Sequence, residues 1–262
     1  MSWSRISRFA VLTAAVHPIG ALVSVASDAP VISNQIVLSK LFDQSFCVME
    51  NIVDPTTLTE CSRLAASVFE NEGGHDGTYL GKPWKSSRIY IDGQNVWQPN
   101  QDSTATAPVD AAFMEPIIKC VRRKLATELG LVPKTANNLD ELCQKAMPLE
   151  SAFTNHYIGI GNAPRDMSNH IDCDCNGNPV PLSVVIQGVY DHNHATGEIL
   201  GKLDCQTAKK DQPVQTVPLS AGDGLVLAGA LHKPHPVPES AKRLVFVLFF
   251  SELNYMKDVL ER

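Results

Sequence analysis

Arg243-Leu244-Val245-Phe246-Val247-Leu248-Phe249-Phe250 is one cation followed by seven apolar residues, mostly β-branched or aromatic. A short apolar run of this composition reads as a strand rather than a helix. The arginine at its head is either a solvated strand end or a buried anion anchor. A cation leading into an apolar strand favours the anchor, because an unpaired buried charge is expensive. Upstream, further β-prone runs recur at 152–160, 182–190, 198–203, 214–217 and 224–228, punctuated by Gly-Asn, Thr-Gly, Ala-Gly-Asp and Pro-Glu-Ser. Strands at this spacing with few helices between them predict a sandwich or jelly roll.

Before Pro148 the texture differs. Asp54-Pro55 reads as an N-cap with proline in the first turn, and Leu58, Cys61, Leu64, Ala65 and Val68 follow at helical spacing, which predicts a helix over 55–70. Residues 71–87 read as loop, 88–92 as a strand and 94–107 as a polar, turn-rich stretch. Phe113, Ile117, Val121 and Leu125 form one stripe of a helix over 109–129, and a short helix covers 139–146. Runs at 35–39 and 46–50 are β-prone. The expected architecture is therefore mainly β with flanking helices: 35–150 as helical support, 151–255 as a jelly-roll core, both in one domain over 35–262.

Residues 1–34 read as an N-terminal extension or a targeting segment. Arg5 and Arg8 precede an apolar run over 9–16, and Ser24-Val25-Ala26 has a small-x-small form, whereas His17-Pro18-Ile19-Gly20 interrupts the run. The thiol pattern demands no oxidising compartment, so a soluble cytoplasmic protein is the default expectation, with targeting or secretion as the alternative. Cys47, Cys61, Cys120 and Cys143 sit singly in apolar surroundings and read as core thiols.

Composition narrows the function. The 262 residues are 44% hydrophobic and 19% charged, which excludes a disordered or fibrous chain. A net charge of -6 leaves no basic footprint for nucleic acid. No apolar run reaches the roughly 18 residues of an integral membrane segment. The oligomeric state is set by no feature of the sequence.

Three features of the β region carry chemistry. In Asn169-His170-Ile171-Asp172, side chains two apart on an extended segment share a face, so His170 and Asp172 can offer a nitrogen and an oxygen to one metal. A further histidine, His232 or His235, lies in the proline-rich stretch after the Gly222-Asp223 turn. Arg243 is the third feature. Two imidazoles and one carboxylate suit non-haem Fe(II) with open positions, whereas structural zinc wants four closed ligands. A zinc site from Cys173, Cys175, His192 and His194 competes, but Cys-x-Cys without a second matching pair is a weak signal.

The order His170-x-Asp172, distal His232, then Arg243 eleven residues on, resembles the Fe(II)- and 2-oxoglutarate-dependent oxygenase superfamily. The resemblance covers roughly 152–250 and extends to Tyr157, Thr196-Gly197-Glu198 and Gly222-Asp223. It implies a double-stranded β-helix and the oxidative decarboxylation of 2-oxoglutarate to succinate and CO2, coupled to oxidation of a second substrate. It further implies Fe(II) on His170, Asp172 and His232, with 2-oxoglutarate and O2 as co-substrates and ascorbate as a stimulant. Arg243 would meet the distal carboxylate of 2-oxoglutarate bidentately, and Tyr157 would add a hydroxyl. His232 precedes Pro236 by four, as in the family pattern, and is preferred to His235. A carboxylate at 172 fills the position that halogenases leave for chloride, so hydroxylation, desaturation or ring closure is expected instead. The substrate is a small molecule, such as an amino acid or natural-product intermediate. A peptidyl (prolyl-type) hydroxylase and a non-catalytic metal-binding jelly roll are the alternatives.

Overall fold

The computed structural model describes residues 41, 43–72, 76–79, 82–92, 97–99, 112–158, 169–174, 177–189, 199–207, 212–235 and 242–254, with 68–99, 112, 157–158 and 199–200 described by backbone alone. All belong to one compact unit, Ile32–Arg262. The expected extension over 1–34 and strand over 35–39 lie outside the described residues.

The described chain is mainly antiparallel β structure with few helices. Strands β1 (Phe46–Met49), β2 (Asp76–Tyr79), β3 (Lys82–Asp92), β5 (Leu149–Ile158), β6 (Leu182–Gln187), β9 (Gly224–Leu227) and β11 (Lys242–Phe250) form a sheet in the order β1-β9-β6-β11-β5-β3-β2, with β4 (Trp97–Pro99) beside β3. A second sheet has the order β10-β7-β8, from β7 (Ile199–Gln206), β8 (Gln215–Ser220) and β10 (Leu231–Pro234). Among the described residues, no helix is long and apolar enough to cross a membrane.

Alternation along β11 sorts the molecule into layers. Leu244, Phe246, Leu248 and Phe250 pack with Leu58, Cys61 and Ala65 of α1 (Pro55–Glu72), Ile117, Val121 and Leu125 of α2 (Glu115–Glu128), and Leu142 of α3 (Leu139–Ala146). Val245, Val247 and Phe249 face the other way, joining Val185, Leu203, Cys205, Val217 and Leu219 between the two sheets. Each fully buried side chain of this kind contributes about 1.5–3 kcal/mol. The buried thiols Cys47, Cys61 and Cys143 are part of the helix-side core.

Asp54 caps α1 as its position suggests: Oδ1 accepts from the Thr57 amide at 2.9 Å. Three expectations need correction. The segment 71–87 is not all loop, because β2 and most of β3 lie in it. β3 runs beside β5 from Lys85↔Ile158 to Asp92↔Ser151, and this ladder overrides a Gly-, Lys- and Ser-rich composition. The helix expected over 109–129 is a 3₁₀ turn at Ala112–Met114 followed by α2, whose first turn holds Pro116. Proline is tolerated in a first turn but not deeper, which sets the start. The turn-rich stretch 94–107 also contains β4.

Candidate metal centre

His170 lies beside β10 in an isolated bridge to His232: His170 N donates to His232 O at 3.1 Å and His232 N to His170 O at 2.9 Å. A reciprocal antiparallel pair puts both side chains on one face, and the imidazole centroids are 4.3 Å apart. The chain then turns back through a tight hairpin. Asp174 and Asn178 close it, with Asn178 N donating to Asp174 Oδ1 at 2.8 Å and Gly177 at φ 76. Val180 N donates to Asp172 O at 3.1 Å, so the second arm anchors Asp172 just before β6 begins.

The hairpin and β10 thus bring His170, Asp172 and His232 together, with their ligand atoms all within 4.8 Å of one another. Asp172 Oδ1 is 3.8 Å from His170 Nε2 and 3.7 Å from His232 Nε2. These separations exceed a hydrogen bond, yet two donors each ~2.1 Å from a shared ion can be up to ~4.2 Å apart. The Asp172 side chain is 11% exposed and that of His232 5%, whereas His170 faces the opening at 37%. His232 Nδ1 lies 3.4 Å from Ala230 O. A carbonyl can only accept, so this contact suits a proton on Nδ1 and leaves Nε2, the ring nitrogen on the Asp172 side, as the atom to offer a metal. Burial pushes the His232 imidazole below its usual pKa, partly opposed by Asp172. This donor set fits a divalent ion of the Fe(II) type, and it is the one such cluster among the described residues.

Arg243 lines the same cavity as the cluster, and this cavity is partly open to solvent. Phe153, Val185, Leu203, Val245 and Val247 supply its apolar wall. Arg243 is only 5% exposed, and its Nε donates to Gln187 Oε1 at 3.0 Å. Lys242, the neighbouring cation, is exposed on the other side of the strand.

His235 is not brought to the cluster: its Nε2 meets Asp204 Oδ1 at 2.7 Å. The same contact, helped by Thr216, holds the Asp204 carboxyl below its usual pKa. The Tyr157 backbone stands opposite Arg243 in the β5–β11 register, but its side chain lies outside the described residues, as do Cys175, His192, His194 and Thr196-Gly197-Glu198. Cys173 is exposed, and its thiol donates to Ile171 O at 3.4 Å. Gly222 and Asp223 form the β8–β9 turn, with Gly222 at φ 87.

Sequence reading missed Ser183 and Gln187, which lie on β6 and reach Asp172 and Arg243 respectively. Their signal is polarity inside an otherwise apolar strand: β6 is buried throughout, so each polar side chain there needs a partner.

No family model matches the chain, and no curated protein does. Solved structures match at the level of the fold. An oxidoreductase of the 2OG-Fe(II) oxygenase family from Burkholderia pseudomallei gives a TM-score of 0.54 at 15% identity, over 89% of this chain and 98% of its own. The epimerase SnoN, in complex with Fe3+, α-ketoglutarate and nogalamycin RO, gives 0.56 at 13% identity, over 84% and 83%. A prolyl hydroxylase in complex with a hypoxia-inducible-factor peptide fragment from Trichoplax adhaerens gives 0.51 at 14%, over 83% and 89%. The chain shares the fold of these 2OG-Fe(II) oxygenase structures.

Proposed function

We propose that this chain is an Fe(II)- and 2-oxoglutarate-dependent oxygenase with a double-stranded β-helix core. It oxidises, by hydroxylation in the first instance, a C–H bond of a small molecule such as an amino acid or natural-product intermediate, releasing succinate and CO2. The observation that carries this reading is one cavity bearing both a His-Asp-His cluster and a buried arginine.

In this reading His170, Asp172 and His232 hold the iron, which together with 2-oxoglutarate and O2 supplies the oxidising chemistry. Arg243 neutralises the distal carboxylate of 2-oxoglutarate, with Tyr157 as a second donor. A guanidinium suits this task because its planar fork matches a carboxylate edge and stays charged when desolvated. Phe153, Val185, Leu203, Val245 and Val247 give the cavity an apolar wall, with Asn155 as a buried polar lining residue. That wall lowers the local dielectric around Arg243, which strengthens its pair with a carboxylate. With a carboxylate at 172, the position that related halogenases leave without one, hydroxylation, desaturation or ring closure is favoured over halogenation. The solvent-continuous side of the cavity and the fold shared with a peptide-bound prolyl hydroxylase support a second reading, a peptidyl hydroxylase.

The test is an anaerobic titration of the apoprotein with Fe(II) and then 2-oxoglutarate, followed by aerobic succinate release against panels of free amino acids, natural-product intermediates and prolyl peptides. The expected result is a metal-to-ligand charge-transfer band in the wild type and none in Asp172→Ala. A wild-type chain that binds neither ligand would sink the reading.

A further inference from the structure

We propose that β6 is the positioning strand of the site, with Ser183 orienting the metal-binding carboxylate and Gln187 orienting the arginine. The inference rests on the oxygenase reading above and adds two residues to it. Ser183, Val185 and Gln187 alternate onto the inter-sheet side of β6, and Val185 itself lines the cavity. Ser183 and Gln187 are each 1% exposed.

Ser183 Oγ donates to Asp172 Oδ2 at 2.5 Å. Asp172 Oδ1 is the oxygen nearer both imidazoles. The hydroxyl therefore holds the carboxylate plane and commits Oδ1 to the metal. Hydrogen bonds of this kind, made by groups outside the ligand set, fix ligand orientation and raise metal affinity.

Gln187 works at the other end. Its Oε1 accepts from Arg243 Nε at 3.0 Å, while its Nε2 donates to Gly188 O and Leu244 O, both at 3.0 Å. The backbone thus locks the amide, and the amide locks the guanidinium. Gly201 on β7 completes this arrangement. A Cβ there would stand 2.6 Å from Arg243 Nη2, 2.7 Å from Nε, and against Gln187 Oε1. The missing side chain is what lets the guanidinium lie against β7.

Ser183 and Gln187 are four residues apart, about 13 Å along a strand. β6 is hydrogen-bonded on both edges, to β9 and β11, so this span is set by sheet geometry rather than by loops. A rigid span selects a linear 2-oxo diacid over 2-oxo acids lacking the far carboxylate. Both residues act through Asp172 and Arg243 and are positioning residues.

The experiment separates the two ends on the full chain. Co(II) affinity and its visible d–d spectrum report the metal end. The ratio of affinities for 2-oxoglutarate and 2-oxopentanoate, which lacks the distal carboxylate, reports the arginine end. Ser183→Ala is expected to weaken Co(II) by roughly 10- to 100-fold and to change its spectrum, leaving the diacid preference intact. Ser183→Thr, which keeps the hydroxyl, should restore the wild-type spectrum. Gln187→Leu, and independently Gly201→Ala, should cut the diacid preference about tenfold, the worth of one misaligned charge-assisted hydrogen bond. Both should leave the Co(II) spectrum unchanged. If Arg243→Leu abolishes the preference while Gln187→Leu and Gly201→Ala keep it, the positioning role of Gln187 is overturned and the oxygenase reading stands. A wild-type Co(II) spectrum and affinity in Ser183→Ala overturns the role of Ser183. A wild-type chain that binds no metal and shows no diacid preference overturns the oxygenase reading and this inference together.

Discussion

Arg243→Leu separates binding from stability in a way that tests the site directly. In the wild type the guanidinium is 5% exposed and its Nε donates to Gln187 Oε1; in the proposed reading it also meets the distal carboxylate of 2-oxoglutarate bidentately. Two hydrogen bonds to charged groups, at about 1.5–3 kcal/mol each, give about 3–6 kcal/mol in all, or a roughly 100- to 20,000-fold rise in the dissociation constant for 2-oxoglutarate. The folding balance is different. Leucine leaves Gln187 Oε1 without its donor, costing about 1–3 kcal/mol, but it also removes a buried charge whose desolvation opposes folding. The two offset, so the melting temperature should move little while co-substrate affinity collapses. Arg243→Lys keeps the charge and loses the fork, and should fall between. The assay is anaerobic calorimetry of 2-oxoglutarate binding to the Fe(II)-loaded protein, with metal affinity measured separately. A dissociation constant in the Leu variant equal to that of the wild type would refute the assignment.

His232→Ala should lose stoichiometric Fe(II) binding, measured by metal analysis after gel filtration, while His235→Ala keeps it, since His235 is turned to Asp204; the reverse pattern would move the site to His235. Phe246→Ala, at a fully buried ring on the helix side of β11, should cost about 3–5 kcal/mol and lower the melting temperature by roughly 6–20 °C, yet leave 2-oxoglutarate affinity near wild type at low temperature. Equal losses of stability and affinity would contradict the two-sided reading of that strand. Burial pushes the Cys61 thiol up to about 11 and that of Cys205 up to about 12. Thiolate falls as pH drops below the pKa, so at pH 8 only about a thousandth of Cys61 or less is reactive. Iodoacetamide should therefore spare both until denaturant is added, as peptide mass spectrometry would read; rapid native labelling would show that these cores open.

The sequence by itself determined what is local and chemical. Short β-prone runs bounded by turn signals announce strands, and Asp54-Pro55 announces the start of α1. His170-x-Asp172 puts two donor atoms on one face of any extended segment. The single cation before seven apolar residues marks Arg243 as either buried or terminal, and burial on the cavity side follows from alternation. Pairing was beyond local reading. The first half of β3 reads as loop by composition, and its ladders with β2 and β5 make it a strand. His232 and His235 share a proline-rich stretch, and their difference comes from the bridge to His170 on one side and Asp204 on the other. Gln187 meets Arg243 across 56 residues of chain, and Gly201 matters only because the guanidinium lies against it. Residue type and short spacing state which chemistry is available. Which groups meet is settled by strand register, because shifting a strand by one residue turns every side chain to the opposite face.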